Sequence, residues 1–155
     1  MPSAFSYTEG LDCDDDLFPP KIYHLDLVNR DYDPDDPDAK LRPSHDQCID
    51  DARANGPAIY DCYGEEMDFQ NKRLHAAYSK LVSALGEHDK QALRKEQRQW
   101  LREMDLLCGW GFTEGSRGRM VSDTCDVIHR GLRATELERR LTRLGTRDKV
   151  AGLTR

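Results

Sequence analysis

The chain lacks several features that would assign it to a well-defined class of protein. No apolar run approaches the roughly 18 residues that a membrane-spanning helix requires. The motifs H-E-x-x-H and G-x-S-x-G, the phosphate-binding P-loop and the pair C-x-x-C are all missing. Only 37% of the 155 residues are hydrophobic, against 34% that are charged. The sequence therefore argues against a membrane protein and the common hydrolases, and it predicts a small core.

A recognisable export signal is also missing from the sequence. The first residues, MPSAFSYTEG, lack the basic and apolar regions of a signal peptide. Cys13 does not follow the apolar stretch and small residues that mark a lipoprotein cysteine. We expect either a cytoplasmic protein or a mature exported chain with an added Met1. The cysteine content favours the exported chain, which would be periplasmic or secreted.

Charge and proline are concentrated in the first third of the chain. Residues 1–50 hold 13 acidic and 4 basic residues, whereas the rest of the chain holds 16 acidic and 19 basic residues. Pro34 and Pro37, together with the repelling aspartates around them, oppose a regular helix there. The sequence predicts three regions: an acidic, partly disordered N-terminal arm (1–45), a helical domain (46–144) and a frayed tail (145–155).

Apolar residues recur at helical spacing in three segments, about 57–85, 88–108 and 119–144. Asn55 is a suitable N-cap for the first segment, and Pro57 suits its first turn. Gly86 separates the first two segments and indicates a turn between antiparallel helices. The pattern predicts an all-α fold, a three-helix antiparallel bundle stapled by two disulfides.

The pairing of the cysteines can be approached from the predicted hairpin. Cys62 and Cys108 are equidistant along the chain from Leu85, beside the turn, so they would face each other across antiparallel helices. This favours Cys62–Cys108 and leaves Cys48 for Cys125. The alternative of two local bridges, Cys48–Cys62 and Cys108–Cys125, remains open. Cys13, in the acidic arm, is predicted to be unpaired.

Other uses of the cysteines would imply different chemistry. Four reduced thiols would suit a cytoplasmic protein, and the spacings fit no standard zinc module. Cys125 and His129 lie one helical turn apart, so a metal-binding protein or a thiol enzyme that uses this pair is an alternative function. Disulfides are favoured because a small core needs covalent stabilisation. We expect no metal, no cofactor and no enzymatic activity.

The segment between the second and third predicted helices, 109–118, contains four glycines together with Trp110 and Phe112. Aromatic side chains on a loop are typical anchors in protein interfaces, although they could also cover the end of the hairpin. The arginines of the third helix are interleaved with Glu136 and Glu138, and the net charge is −6, which argues against nucleic-acid binding. The composition favours a protein partner.

A set of spaced residues on the predicted helices resembles the LprI N-terminal-like domain family over about residues 48–141. The residues that carry the resemblance are Cys62, Leu74-x-x-x-Tyr78, Leu93-x-x-x-Gln97-Arg98-x-Trp100-Leu101, Asp105-x-x-Cys108, Cys125 and Arg133-x-x-x-Leu137. The namesake of this family is a bacterial lysozyme inhibitor. The resemblance implies a small, exported, helical domain with bridging cysteines.

The resemblance implies a protein-binding module of the bacterial envelope, with inhibition of a lysozyme-type cell-wall hydrolase as the leading function. Such hydrolases are often basic and place two carboxylates in a cleft. We expect the loop 109–119 to enter that cleft, with Trp110 and Phe112 as anchors and Arg117 or Arg119 neutralising the carboxylates. The acidic arm would attract the basic partner. An immunity protein that neutralises a delivered bacterial toxin is the alternative.

Three further residues are predicted to serve the scaffold rather than a binding site. Trp100 would fill the core between the helices, where its indole N–H would need an acceptor. Asp105 is predicted to form an ion pair with Arg133.

Overall fold

The computed structural model describes residues 25–109 and 115–153, without the side chains of residues 115–117, 150, 151 and 153. The described part contains four α-helices and no strand, so the prediction of an all-α fold is confirmed. The helices are α1 (Pro43–Ala52), α2 (Gly56–Ala84), α3 (Glu87–Cys108) and α4 (Gly115–Leu153), and a 3₁₀ turn precedes them at Pro37–Ala39. None of the described helices is apolar enough over a sufficient length to cross a membrane.

The predicted local signals set the bounds of α2 and α3. The side chain of Asn55 accepts a hydrogen bond from the backbone N–H of Ala58 at 3.0 Å, and Pro57 lies in the first turn of α2. Gly86 is the N-cap of α3, and Glu87 and Asp89 in its first turn complement the helix dipole. Both helices therefore begin and end within a residue or two of the expected positions.

Helix α4 is the element that joins the bundle. It packs along α2 and against α3, whereas α2 and α3, although consecutive, make few contacts with each other. The core between the three helices is formed mainly by buried apolar side chains: Leu74, Ala77, Leu81, Leu93, Trp100, Met104, Leu107, Ala134 and Leu137. The tail was predicted to fray from residue 145, but α4 continues as a helix to Leu153.

The favoured pairing of the cysteines is wrong, and the two local bridges are formed instead. Cys48 is bonded to Cys62 with a Cα–Cα distance of 5.8 Å, and Cys108 to Cys125 with a distance of 5.5 Å. The favoured pairing assumed that α2 and α3 lie side by side along their length. Because α4 packs against both helices instead, Cys62 of α2 pairs with Cys48 of α1, and Cys108 of α3 pairs with Cys125 of α4.

The segment from residue 25 to residue 42, here called the strap, lies against the helices. Val28 is 3% exposed and belongs to the core. The buried carboxylate of Glu103 on α3 accepts the backbone N–H groups of Leu27 at 2.7 Å and Val28 at 3.0 Å. The first half of the strap is therefore fastened through its backbone. Residues 1–24 lie outside the described residues, as does Cys13.

The second half of the strap is fastened to α4 and α2. Thr135 donates a hydrogen bond from its hydroxyl to the carbonyl of Asp38 at 2.6 Å, and Ala39 is fully buried. Arg42 donates from its backbone N–H and its Nε to the buried carboxylate of Glu66, at 3.0 and 2.9 Å. Burial alone would raise the pKa of Glu66, but the hydrogen bonds from Arg42 and Gln70 outweigh it and lower the pKa.

Arg133 is buried in the structure, but its predicted ion pair with Asp105 is wrong. Its Nη1 lies 2.7 Å from Glu96 and 3.1 Å from Glu136, and its Nε donates to the side-chain oxygen of Gln97 at 3.0 Å. Asp105 is exposed. Arg133 meets α3 about two turns before Asp105, at the level of Trp100, whose ring lies 5.9 Å from the guanidinium carbon.

The close approach between the strap and α4 predicts opposite effects for two glycines of one helix. A Cβ on Gly131 would lie 2.1 Å from the carbonyl oxygen of Ala39, whereas one on Gly145 would meet nothing within 4 Å. We expect Gly131→Ala to destabilise the protein by about 2–4 kcal/mol through backbone displacement, and Gly145→Ala to stabilise it by about 0.5–1 kcal/mol. Urea unfolding measures both. Equal effects of the two substitutions would contradict the described docking of the strap.

The ion pair of Arg133 can be checked by a double-mutant cycle. We expect Arg133→Ala and Glu96→Ala to be non-additive, with a coupling of about 1–3 kcal/mol, because Glu96 is the carboxylate closest to the buried guanidinium of Arg133. The same cycle with Asp105→Ala is the control, and its costs should add. Unfolding free energies that couple Arg133 to Asp105 but not to Glu96 would refute the described arrangement.

Candidate functional site

The helix ends on either side of the loop that was predicted to bind a partner are joined to each other. Cys108, at the end of α3, is bonded to Cys125 on α4, and both residues are buried. The hydroxyl of Ser122, which is 1% exposed, donates to the carbonyl of Cys108 at 2.6 Å. A covalent bond and a buried hydrogen bond therefore fix the start of α4 to the end of α3.

Three of the predicted binding residues lie beyond what the structure describes. Trp110 and Phe112 fall within residues 110–114, which lie outside the described residues, and the side chain of Arg117 is likewise outside them. Their role as contacts remains a prediction. The fourth residue, Arg119, is described and lies on the first turns of α4.

Arg119 is held above an aromatic ring. Its guanidinium carbon lies 3.9 Å from the centroid of the Tyr60 ring on α2, and its Nε lies 3.9 Å from a carboxylate oxygen of Asp123. The side chain is nevertheless 49% exposed. Stacking on a ring restricts the side chain while leaving hydrogen-bond donors accessible, so Arg119 is partly preorganised for a partner carboxylate.

An apolar patch lies beside Arg119. Met120 is 38% exposed and Val121 is 54% exposed, and with Tyr32, Pro34 and Thr124 they line a shallow pocket of about 600 Å³. We call these five residues the apolar patch. Thr124 is tied to α2, because its hydroxyl and that of Tyr63 are 2.8 Å apart and hydrogen-bonded. Clustered exposed apolar side chains are typical of surfaces that bind other proteins.

The sequence did not identify this patch. The helical spacing of apolar residues over 119–144 predicts that Met120 or Val121 lies on the buried face, but both are exposed. Among the described side chains of α4, the first buried ones are Ser122 and Cys125, so the buried face begins after Val121.

In this structure Cys125 cannot act as the nucleophile of the alternative thiol enzyme that would use Cys125 and His129. Cys125 is bonded to Cys108 and therefore carries no thiolate. His129 is 3% exposed, its ring contacts the ring of Tyr32 at 4.5 Å, and its Nε2 has no hydrogen-bond partner among the described residues. Burial lowers the pKa of His129 to about 4. The histidine therefore packs the strap against α4 in its neutral form.

The low pKa of His129 predicts a loss of stability in acid. Since the imidazole binds a proton near pH 6.5 when unfolded and near pH 4 when folded, the unfolded state takes up the proton first as the pH falls. We expect the free energy of unfolding to be about 3 kcal/mol lower below pH 4 than at pH 7. Most of this loss should occur between pH 6.5 and pH 4.

Urea unfolding across this pH range measures the effect. His129→Phe keeps a ring against Tyr32 and should remove this part of the pH dependence, whereas His88→Gln, at a fully exposed side chain, should leave it unchanged. Identical pH profiles for the wild type and His129→Phe would contradict the buried neutral imidazole.

Comparison with known proteins identifies the family. The family model described as lysozyme inhibitor LprI matches residues 48–137, from the cysteine of α1 to the middle of α4. No curated protein and no solved structure matches the chain. The match covers both disulfides, Arg119, Met120 and Val121, and it excludes the strap. Because it spans more than half of the sequence, the chain belongs to the LprI family of lysozyme inhibitors.

Proposed function

We propose that this protein binds and inhibits a lysozyme-type cell-wall hydrolase in the bacterial envelope. The family supplies an inhibitor-like, protein-binding role. The observation that carries the proposal is the combination at the start of α4, where Arg119 and the exposed Met120 and Val121 closely precede Cys125, which is bonded to Cys108. The proposed location is the periplasm or the cell exterior, which the two disulfides support.

The proposed mechanism follows from the chemistry of the partner. Hydrolases of this type cleave a glycosidic bond with a pair of carboxylates in a cleft. The loop would enter the cleft, with Trp110 and Phe112 as apolar anchors. Arg117 and Arg119 would neutralise the two carboxylates by charge-assisted hydrogen bonds. Helix ends that are already joined reduce the entropy that binding must otherwise remove.

Charge supports the association step. Lysozyme-type hydrolases are often basic, whereas this chain carries a net charge of −6, with 13 acidic residues in its first 50. Opposite charges raise the rate of encounter, and salt weakens that effect. The acidic N-terminal region would therefore steer the partner, and contacts of the apolar patch would hold it.

The test is lysis of bacterial cell walls by a panel of lysozymes, with and without the protein purified under non-reducing conditions. We expect stoichiometric protection by the oxidised protein and none after reduction. Each disulfide contributes about 2–4 kcal/mol to a small domain, so reduction should unfold the base of the loop. No protection against any lysozyme by the oxidised protein would refute the proposed function.

Point variants locate the surface without unfolding the chain. We expect Val121→Asp to weaken inhibition by about tenfold or more, because it places a charge in an apolar contact. Leu101→Asp is the matched control, since Leu101 is similarly exposed (44%) but lies on α3 outside the apolar patch. Equal potency of the two variants, with unchanged circular dichroism, would rule out the patch as the contact.

The arginines are tested separately from the patch. Arg117→Ala and Arg119→Ala together should weaken inhibition and reduce its salt dependence, because two charge-assisted contacts are lost. Unchanged binding by the double variant would show that the loop does not act through these arginines.

A further inference from the structure

A groove that none of the preceding functions uses lies between the strap, α1, α2 and α4. Its volume is about 320 Å³. Apolar side chains line it from three sides, among them Leu41, Ile49, Val127 and Ile128. Asp35 of the strap and Asp46 and Asp50 of α1 also line it. We call this the aspartate groove. It adjoins the apolar patch, since Pro34 and Thr124 line both.

The three aspartates of this groove have no cationic partner among the described residues, unlike several carboxylates nearby. Asp38, Glu66 and Glu138 are each paired with an arginine. Within the described residues, the carboxylates of Asp35, Asp46 and Asp50 form no ion pair, although Lys40 and Arg42 lie close by in the sequence. All three aspartates are exposed. The groove therefore presents negative charge that the described residues do not neutralise.

A buried polar group in the same groove is also unsatisfied. His45 lines the groove and is 7% exposed, and its Nδ1 has no hydrogen-bond partner among the described residues. Its ring is held in place by an edge contact with the ring of Tyr63, 5.1 Å away. Buried polar atoms of folded proteins nearly always have a partner. The unpaired carboxylates call for an occupant with hydrogen-bond donors, and the unpartnered imidazole beside them indicates that the groove has room for a polar group.

We propose that the aspartate groove receives an arginine or lysine side chain of a protein partner. The apolar walls suit the aliphatic part of such a side chain, and the aspartates at the rim suit its cationic end. A bare metal ion fits less well, because no three acidic, histidine or cysteine side chains of the described residues converge closely enough to hold one. The identity of the partner as a basic hydrolase rests on the proposed function.

The groove adjoins the apolar patch, so a single partner could contact both surfaces. A partner seated on Met120 and Val121 reaches the groove across Pro34 and Thr124 without leaving the surface. A cation in the groove would then fix the orientation of the partner, because charged contacts set register and specificity more than they add affinity. The groove and the patch thus form one continuous interface.

The first arm of the test uses a basic lysozyme. We expect Asp46→Asn combined with Asp50→Asn to weaken binding about tenfold at low salt, and the difference from the wild type to shrink as salt is raised. Asp68→Asn combined with Asp148→Asn is the matched control. It removes the same charge at exposed positions that do not line the groove, so a smaller effect is expected.

The second arm does not depend on any hydrolase. Nuclear magnetic resonance with N-acetyl-arginine amide as the probe follows the backbone amides of Asp35, Asp46 and Asp50 and the ring of His45. We expect shifts confined to the groove in the wild type and in the control pair, and their loss in the groove pair. Shifts that are absent, or spread evenly over all exposed carboxylates, would overturn the proposal.

The two arms separate the failure of this inference from that of the proposed function. If the wild type inhibits the lysozyme and the groove pair is as potent as the control pair, the groove proposal fails and the proposed function stands. If no lysozyme is bound by the wild type, the proposed function fails, and the arginine titration alone decides whether the groove binds a basic side chain.

Discussion

Each disulfide closes a corner between consecutive helices, the first between α1 and α2 and the second between α3 and α4, and fixes how each pair of helices meets. The bridged cysteines are separated by 14 and 17 residues, and closing loops of this size contributes about 3 kcal/mol each. That is a large share of the stability of a chain with 37% hydrophobic residues. The second corner also sets how α4 enters the bundle, and α2, α3 and the strap all pack on α4. The exposed residues at the start of α4 are therefore placed covalently.

The strap shows how an acidic segment can dock on a protein and keep its charge available. Apart from the side chains that pack on the core, the groups that bind the helices are largely backbone atoms: the N–H groups of Leu27 and Val28, and the carbonyls of Asp38, Ala39 and Lys40. Acceptors and donors for them come from Glu103, Thr135, Arg73 and Gln70. Because the backbone makes these contacts, Asp31, Asp33 and Asp35 remain exposed. The segment is thus both part of the fold and a source of negative potential.

Sequence signals located α2 and α3 because their caps and apolar periods are local. The disulfide pairing could not be read in this way, since it depends on which helix packs against α2, and the equal spacing of Cys62 and Cys108 carries no information on α4. Helix α1 was missed because it is short and largely polar. The place where the strap docks could not be read from the sequence, because its apolar residues are few and backbone hydrogen bonds fasten much of it. In the candidate site, Arg119 could be named from its position, but the exposure of Met120 and Val121 depends on the rotation of α4.

The family match and the proposed interface coincide only in part, and the difference is physically informative. The match begins at Cys48, so it includes Met120, Val121 and Asp50 but excludes Asp35, His45 and Asp46. In the proposed interface, Met120, Val121 and Thr124 of the apolar patch therefore belong to the family domain, whereas Tyr32, Pro34 and two of the three groove carboxylates precede it. Apolar contact favours many partners of similar shape, while unpaired charge at fixed positions discriminates between them. The strap and the first turn of α1 would then mainly determine which partner binds. Helix α4 would provide most of the apolar contact that holds the partner.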